Sequence, residues 1–310
     1  MRPSESLNLY GMDYFMNEFI YLHESKKLPN KILLSGKKGI GKSTLAYHLI
    51  NYALSTNEDF TYDKENLSIN NNNKTFKLIQ NKSHPNFYLI DLIDEKKSID
   101  IGQIREMITY TNKSSFNTKP RFILIDNIEN LNKNSVNALL KIVEEPNENI
   151  FFILIHNNEK NILPTLKSRC LTFKINLSFD ESINISNKLV NTNVFDLINR
   201  DLLTVYDTPG YLIQLINFAN EKKIDLMNYD LTTFLKLLIN DSYYKKNKFV
   251  KQLIIKFIEL YFLKNYLISN KKKLLIKVYQ NFLKKINDTE KFNLDEESLF
   301  LEFKSRILNG

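Results

Sequence analysis

The residues at positions 36 to 43 form the clearest chemical pattern in the chain. They read Gly-Lys-Lys-Gly-Ile-Gly-Lys-Ser and match the phosphate-binding loop (P-loop), G-x-x-x-x-G-K-[ST], at every fixed position. Glycines let the backbone approach an anion, Lys42 adds a mobile positive charge, and the Ser43 hydroxyl can hold Mg²⁺. Three of the seven glycines in the 310-residue chain lie in this loop, more than a plain strand-to-helix turn requires. The pattern predicts a polyphosphate site.

The predicted nucleotide site includes one carboxylate from elsewhere in the chain. Asp126 closes an apolar run, where P-loop proteins keep the carboxylate that holds Mg²⁺ through water. By itself such an Asp is more often a helix cap or a turn residue, but beside an intact P-loop the metal role is favoured. Ser43 and Asp126 are therefore the predicted Mg²⁺ residues when nucleotide is bound. The predicted nucleotide-binding set is Gly36, Lys37, Lys38, Gly39, Ile40, Gly41, Lys42, Ser43, Thr44 and Asp126.

The residues that would support hydrolysis are less complete. Hydrolysis requires a group that orients the attacking water. Asn127 follows Asp126 directly, and an amide does not accept a proton at neutral pH. Glu129 is interpreted as a solvated charge or a cap in the following loop. Arg169 precedes a predicted strand and could stabilise charge on a transferring phosphate, although the residues by themselves favour a surface salt bridge.

Apolar runs alternate with helical patterns in the first half of the chain. The runs are continuously apolar, as expected of buried parallel strands. Strands are predicted at residues 31–35, 86–91, 121–126, 150–155 and 170–175, and helices at residues 12–28, 44–54, 100–110 and 132–145, with a short one around Pro164. Residues 55–83 are polar and rich in Asn, which predicts an irregular excursion outside the core. The predicted fold class is α/β, a parallel sheet with helices on both faces.

The pattern changes near residue 176, after which only helices are predicted. We expect an α/β nucleotide-binding domain at residues 1–175, a small helical domain at residues 176–228, and a second helical domain at residues 229–310.

Composition bounds the class of protein. Hydrophobic residues make up 43 % of the chain and charged residues 25 %, which is typical of a soluble globular protein. A net charge of +8 permits contact with nucleic acid without establishing it. The single cysteine, Cys170, excludes disulfides within the chain and cysteine-rich zinc sites. No signal peptide is visible, and charges interrupt the most apolar late stretch, residues 253–268, so we expect a cytoplasmic protein with no membrane span.

Two longer motifs carry a resemblance to a known family. Residues 134–146 read Asn-Ser-Val-Asn-Ala-Leu-Leu-Lys-Ile-Val-Glu-Glu-Pro, and residues 163–170 read Leu-Pro-Thr-Leu-Lys-Ser-Arg-Cys. With the P-loop, these resemble the clamp-loader branch of the AAA+ ATPases. The Ser-His-Pro-Asn at residues 83–86 and the Gln-Ile-Arg at residues 103–105 narrow the resemblance to the delta-prime subunits of bacterial DNA polymerase III.

The resemblance implies an AAA+ domain, a helical lid and a helical collar that joins other subunits in a ring. It implies gamma/tau and delta subunits as partners, and a sliding clamp and primed DNA as partners of the whole complex. ATP or ADP with Mg²⁺ is the implied ligand. In that family the arginine of the Ser-Arg-Cys motif acts on the ATP of the neighbouring subunit, so Arg169 becomes the predicted catalytic residue, in trans.

The chain departs from the family pattern at three places. Residues 55–83 contain no cysteine, so the zinc module common in delta-prime subunits is not expected. Asn127 stands where active motors keep an acidic residue, and Tyr211 stands where they keep a lid arginine. Both changes weaken hydrolysis more than binding. They favour a stator-like subunit over an active gamma/tau-type ATPase, the alternative, while a helicase loader or a nucleotide kinase is a weaker third hypothesis.

Overall fold

The structure is a computed structural model that describes residues 2–93, 96–114, 117–144, 149–245, 247–292, 294 and 296–308. The chain divides into two compact units. The first comprises Met1–Leu189 with Thr208–Ile213, and the second comprises Val190–Asp207 with Gln214–Gly310. The predicted division into three domains is not tested by this result and stays a prediction.

The first unit is built on a five-stranded parallel sheet with the strand order β2-β3-β4-β1-β5. The strands are β1 (Lys31–Ser35), β2 (Phe87–Ile90), β3 (Arg121–Ile125), β4 (Ile150–His156) and β5 (Leu171–Lys174). The helices up to residue 190 are α1 (Asp13–Glu24), α2 (Lys42–Leu54), α3 (Lys74–Gln80), α4 (Ile101–Asn112), α5 (Lys133–Glu144), α6 (Pro164–Lys167) and α7 (Phe179–Val190). The last residue of the helix predicted at residues 132–145, and Pro146 after it, lie outside the described residues.

Alternate residues of each strand face opposite sides of the sheet, and each side has its own core. On one side Leu34, Leu124 and Ile153 pack in a cluster that includes buried residues of α1, α2 and α3. On the other side Leu33 and Ile123 pack in a cluster that includes buried residues of α4, α5 and α6. Because both faces of the sheet are covered, the central strands β3 and β4 are buried along nearly their whole length. The predicted α/β fold, a parallel sheet with helices on both faces, is confirmed.

The prediction of an irregular excursion at residues 55–83 is wrong. This segment contains α3 and contributes five buried side chains to the core, namely Tyr62, Leu67, Ile69, Phe76 and Ile79. Asn73 caps α3, because its side-chain oxygen accepts a hydrogen bond from the Phe76 amide at 2.6 Å. The same oxygen accepts from Asn51 Nδ2 at 2.9 Å, and Asn73 Nδ2 donates to the Phe60 carbonyl at 2.6 Å. Asparagines that read as loop residues therefore hold this segment against α2.

The described part of the chain after residue 176 contains helices and no strand, as predicted. The remaining helices are α8 (Pro209–Lys222), α9 (Leu231–Asn240), α10 (Lys248–Ile268), α11 (Lys272–Phe292) and α12 (Glu296–Phe303). In the second unit, buried aromatic side chains such as Phe234, Phe257 and Phe300 form much of the core. Lys264 Nζ also pairs with Asp201 Oδ1 at 2.6 Å, which ties α10 to the start of this unit. Among the described residues, no helix is long and apolar enough to cross a bilayer.

Candidate phosphate-binding site

The P-loop joins β1 to α2, and each of its three glycines meets a structural demand. Gly39 and Gly41 have φ angles of +82° and +100°, in the left-handed region that side chains disfavour. A Cβ on Gly36 would lie 2.2 Å from the carbonyl oxygen of Ile175. Helix α2 begins at Lys42, so the loop lies at the positive end of a thirteen-residue helix. This geometry suits an anion, and the polyphosphate site itself stays a prediction.

Lys42 is buried inside the loop that it serves, with only 3 % of the residue exposed. Its ammonium donates hydrogen bonds to the carbonyl oxygens of Gly36 at 2.9 Å and of Lys37 at 2.6 Å. Burial lowers the pKa of Lys42 to about 8, while the negative charges of Asp126 and Glu129 oppose that shift. The ammonium form therefore predominates at neutral pH, and it holds the loop closed around its own side chain.

Ser43 and Asp126 lie together, although 83 positions separate them in the chain. The Ser43 hydroxyl donates to Asp126 Oδ2 at 2.6 Å, and the backbone amide of Asn127 donates to Asp126 Oδ1 at 2.8 Å. Burial raises the pKa of Asp126 to about 6, the hydrogen bond from Ser43 opposes this, and the nearby charge of Asp91 adds to it. A hydroxyl and a carboxylate side by side are oxygen ligands of the kind that Mg²⁺ takes, so the residues present fit this ion.

The remaining predicted nucleotide residues have ordinary surroundings. Lys38 pairs with Glu159 at 3.4 Å between Nζ and Oε1, and Ile40 is buried in the core on the α2 side of the sheet. Thr44 lies in the first turn of α2, half-buried. Whether these residues bind nucleotide is a prediction that the fold by itself does not test.

A polar network lies beside Asp126. The sequence did not reveal the roles that Glu129 and Asn157 have in it. Asn127 donates from Nδ2 to Asp91 Oδ1 at 2.7 Å and accepts at Oδ1 from Asn157 Nδ2 at 2.9 Å. The backbone amide of Asn157 donates to both carboxylate oxygens of Glu129, at 3.2 and 3.3 Å. Glu129 is buried, so its interpretation as a solvated charge is wrong. Asn157 directly follows β4 as Asp126 directly follows β3, and that shared position was the available signal.

Residues 208–210 lie directly on the P-loop. The Thr208 hydroxyl donates to the Lys38 carbonyl at 2.9 Å, and the Gly210 amide donates to the Gly39 carbonyl at 2.8 Å. The two glycine backbones approach so closely that a Cβ on Gly210 would lie 2.7 Å from Gly39 Cα. We call this contact the Gly39–Gly210 contact. It fixes two P-loop carbonyls from the start of α8, at a separation of about 170 positions that no local pattern reveals.

Arg169 is placed on the surface by contacts with α5 and α6. Its NH2 group pairs with Glu144 Oε1 at 2.5 Å, and its NH1 group donates to the Thr165 carbonyl at 2.8 Å. The side chain remains 35 % exposed. Among the described residues the hydrogen bonds and ion pairs of Arg169 are with α5 and α6 and not with the P-loop of its own chain. The neighbouring Cys170 has a pKa raised to about 11 by burial, which makes it a weak nucleophile.

Comparison with known proteins places these features in a family. A family model described as DNA polymerase III, delta subunit, matches residues 12–178, which is more than half of the chain. DNA polymerase III subunit delta' of Buchnera aphidicola subsp. Schizaphis graminum is 32 % identical over 191 residues, covering 59 % of this chain and 56 % of that protein. DNA polymerase III subunit gamma of the same organism is 33 % identical over 184 residues, covering 59 % of this chain and 48 % of that protein.

The chain thus spans about half the length of the curated relatives it matches. Among solved structures, a DNA polymerase III gamma-subunit-related protein of Thermotoga maritima aligns with a TM-score of 0.45 at 17 % identity. That alignment covers 84 % of this chain and 76 % of the other.

The Gly39–Gly210 contact leads to a stability prediction. We expect Gly210→Ala to lower the free energy of unfolding by about 1 to 3 kcal/mol, because the new methyl group would overlap the Gly39 backbone. Gly102→Ala is the matched control, since Gly102 also lies in the first turn of a helix, but the atom nearest to its added Cβ is a side-chain oxygen of Asp100 at 3.0 Å and not backbone. The control should change stability by less than about 1 kcal/mol. Urea unfolding of the three proteins measures both effects, and equal values would contradict the assignment.

The raised pKa of Asp126 leads to a second prediction, on pH dependence. The folded carboxyl titrates near pH 6, whereas the unfolded one titrates near its ordinary value of 3.8. Between these two pH values the folded state holds the proton more tightly, so the cost of burying the charge grows as pH rises and is complete above pH 6. Asp126→Asn should therefore stabilise the protein by about 1 to 3 kcal/mol above pH 6.5 and by little at pH 4.

Urea unfolding between pH 4 and pH 8 checks this prediction. Asp100→Asn is the control of opposite sign, because hydrogen bonds from Lys96 and the Gln103 amide lower the pKa of Asp100. Its carboxylate stabilises the fold at neutral pH, and that stabilisation disappears as pH falls. A stability difference for Asp126→Asn that does not change with pH would refute the assignment.

Proposed function

The chain belongs to the family described as DNA polymerase III, delta subunit, and on that premise we propose that it is a clamp-loader subunit of the DNA polymerase III holoenzyme. Delta-prime and gamma relatives match it at nearly equal identity, so the finer assignment depends on the site. We assign it the delta-prime, stator-like role, in which it assembles with gamma/tau and delta subunits in the cytoplasm. The complex then places a sliding clamp on primed DNA.

The observation that carries this assignment is the hydrogen bonding of Asn127. Its side-chain amide is hydrogen-bonded to both Asp91 and Asn157. Asn127 directly follows Asp126, the carboxylate that accepts from Ser43. An amide in that position does not take a proton from an attacking water. Glu129, the next carboxylate along the chain, accepts hydrogen bonds from the backbone amide of Asn157. Among the described residues, the P-loop therefore supports binding of a nucleotide, while neither Asn127 nor Glu129 offers a free base beside it.

The P-loop supports binding of ATP or ADP with Mg²⁺. Its backbone and the start of α2 would hold the phosphates, and Ser43 with Asp126 would hold the metal. Bound Mg²⁺ would offset the negative charge of the phosphate oxygens. Lys42 already stands at the loop with its charge intact at neutral pH. Residues 208–210 fix the outer side of the loop through the Lys38 and Gly39 carbonyls, which limits the movement available to it on binding.

Arg169 supports a role toward a neighbouring subunit. About a third of its side chain faces solvent, and its described contacts are with α5 and α6. Leu163 and Leu171, close to it in the chain, are 45 % and 53 % exposed. Arginine is enriched at protein interfaces, and the buried centre of an interface is apolar. We propose that Arg169 meets the triphosphate of an adjacent ATPase subunit and stabilises the charge that develops during hydrolysis.

The alternative is an active clamp-loader ATPase of the gamma/tau type. The intact P-loop and the gamma relative at 33 % identity favour it. A pull-down from native lysate tests clamp-loader membership. Recovery of polymerase III tau/gamma and delta proteins supports the proposal, and their absence from a soluble, folded bait preparation counts against it.

Turnover by the isolated chain separates the two roles. We expect the purified protein to bind a fluorescent ADP analogue with Mg²⁺ and to hydrolyse ATP at background, because Asn127 replaces the base. Lys42→Ala is the control that should abolish binding, since it removes the charge inside the loop. Robust ATP hydrolysis that is stimulated by primed DNA would instead support the alternative, an active ATPase of the gamma/tau type.

Arg169→Ala tests the role toward the neighbour. We expect the variant to bind nucleotide normally and to lower the ATPase rate of a reconstituted complex by about tenfold or more at the site it serves, because an arginine finger contributes a large part of the rate. Arg105→Ala, at an exposed arginine of α4, is the matched control and should leave that rate unchanged. A complex that hydrolyses ATP equally well with either variant would rule out the role of Arg169.

A further inference from the structure

We propose that Glu144 is a positioning residue that presents the Arg169 guanidinium to the neighbouring subunit. The inference rests on the proposed role of Arg169 and adds a residue to it. The side chain of Glu144 contacts Arg169 directly, with Oε1 2.5 Å from NH2. Glu144 would touch neither nucleotide nor metal, so its effect is exerted through Arg169.

Two separate anchors fix the plane of the guanidinium. NH2 is held by Glu144 on α5, and NH1 is held at 2.8 Å by the Thr165 carbonyl on α6. Because the group is planar, two contacts to different nitrogens set its orientation as well as its position. The guanidinium has five N–H donors, and within the described residues these contacts engage one on NH1 and one on NH2. The others are left for a phosphate.

The elements that carry the anchors are themselves held by the core. Leu139 and Val143 of α5 and Leu166 of α6 are fully buried in the same cluster on one face of the sheet. Glu144 follows Val143 directly, and Thr165 precedes Leu166 directly. Each anchor is thus one residue away from a buried side chain, which is the arrangement that gives a preset geometry and not an adaptable one.

The Glu144–Arg169 pair has little to do with stability. The Glu144 side chain is 49 % exposed and that of Arg169 is 35 % exposed, and ion pairs at this exposure contribute little to folding. What the pair does is restrict a long, flexible side chain that would otherwise sample many rotamers. A preset arginine loses less freedom when it meets a phosphate, and small errors in the placement of such a group are costly to the rate.

The opposite role would be restraint, in which the carboxylate competes with the phosphate for the arginine. The two roles predict opposite signs. If Glu144 positions Arg169, Glu144→Gln lowers the turnover number of the complex. If Glu144 restrains Arg169, the same substitution raises it. The second anchor favours positioning, because the Thr165 carbonyl is neutral and holds the guanidinium at the same place.

The experiment measures kcat and KM for ATP in a complex reconstituted with Glu144→Gln, Glu144→Asp, Arg169→Ala, or Arg169→Ala together with Glu144→Gln. The matched control is Glu24→Gln. Glu24 also pairs with a single cation, Lys64, at 2.9 Å, and its side chain is 51 % exposed. We expect Glu144→Gln to lower kcat about threefold to thirtyfold with KM unchanged, Glu144→Asp to recover part of the loss, and Glu24→Gln to have no effect.

The double variant separates positioning from a structural role. If Glu144 acts through Arg169, adding Glu144→Gln to Arg169→Ala lowers kcat no further. A further drop in the double variant, a kcat raised by Glu144→Gln, or a Glu144→Gln complex as active as the Glu24→Gln control would each overturn the inference while leaving Arg169 in its role. A fully active Arg169→Ala complex would instead overturn the proposed role of Arg169, and this inference with it.

Discussion

A buried ammonium group is the constraint on which the site depends. Lys42 lies inside the P-loop with almost no exposure, and a charge in such a place must have partners. Two carbonyls of its own loop supply the hydrogen bonds, and Asp126 and Glu129 supply the opposing charges. Those carboxylates follow β3, which is separated from β1 by β4 in the sheet. The order of strands in the first unit is therefore what keeps the charge of Lys42 compensated.

The proposed nucleotide site combines a loop geometry that suits an anion with side chains that already have hydrogen-bond partners. Ser43 bonds to Asp126, Asn127 is held from both sides, and Glu129 is bonded to a backbone amide. The carbonyls on the outer side of the loop are bonded to residues 208–210. A hydrolysing site needs a group that orients water, and among the described residues Asn127 and Glu129 beside Asp126 already have hydrogen-bond partners. Arg169 differs, because its side chain is about one-third exposed and its described contacts engage only one donor on each of NH1 and NH2.

Local patterns predicted most of the first unit, and long-range contacts account for what they missed. The P-loop and the five strands could be predicted because each depends on a short run of residues, with fixed positions in the loop and apolar runs in the strands. The prediction for residues 55–83 was wrong because Asn73 caps a helix and is a buried hydrogen-bond partner of Asn51. Composition does not distinguish an asparagine in such a role from one in a loop. The burial of Glu129 was not predicted, because its hydrogen-bond partner, the backbone amide of Asn157, lies 28 positions away, directly after β4. The Gly39–Gly210 contact joins positions too far apart for any motif to link.

The Asn73 network has a consequence for the conditions under which the first unit keeps its shape. The groups that join Asn51, Asn73, the Phe60 carbonyl and the Phe76 amide are all neutral. Amides neither gain nor lose a proton over the range in which proteins stay folded, and neutral hydrogen bonds are not screened by salt. This fastening of α3 to α2 is therefore insensitive to acidity and ionic strength, unlike the charged centre of the P-loop a few turns away along the same helix.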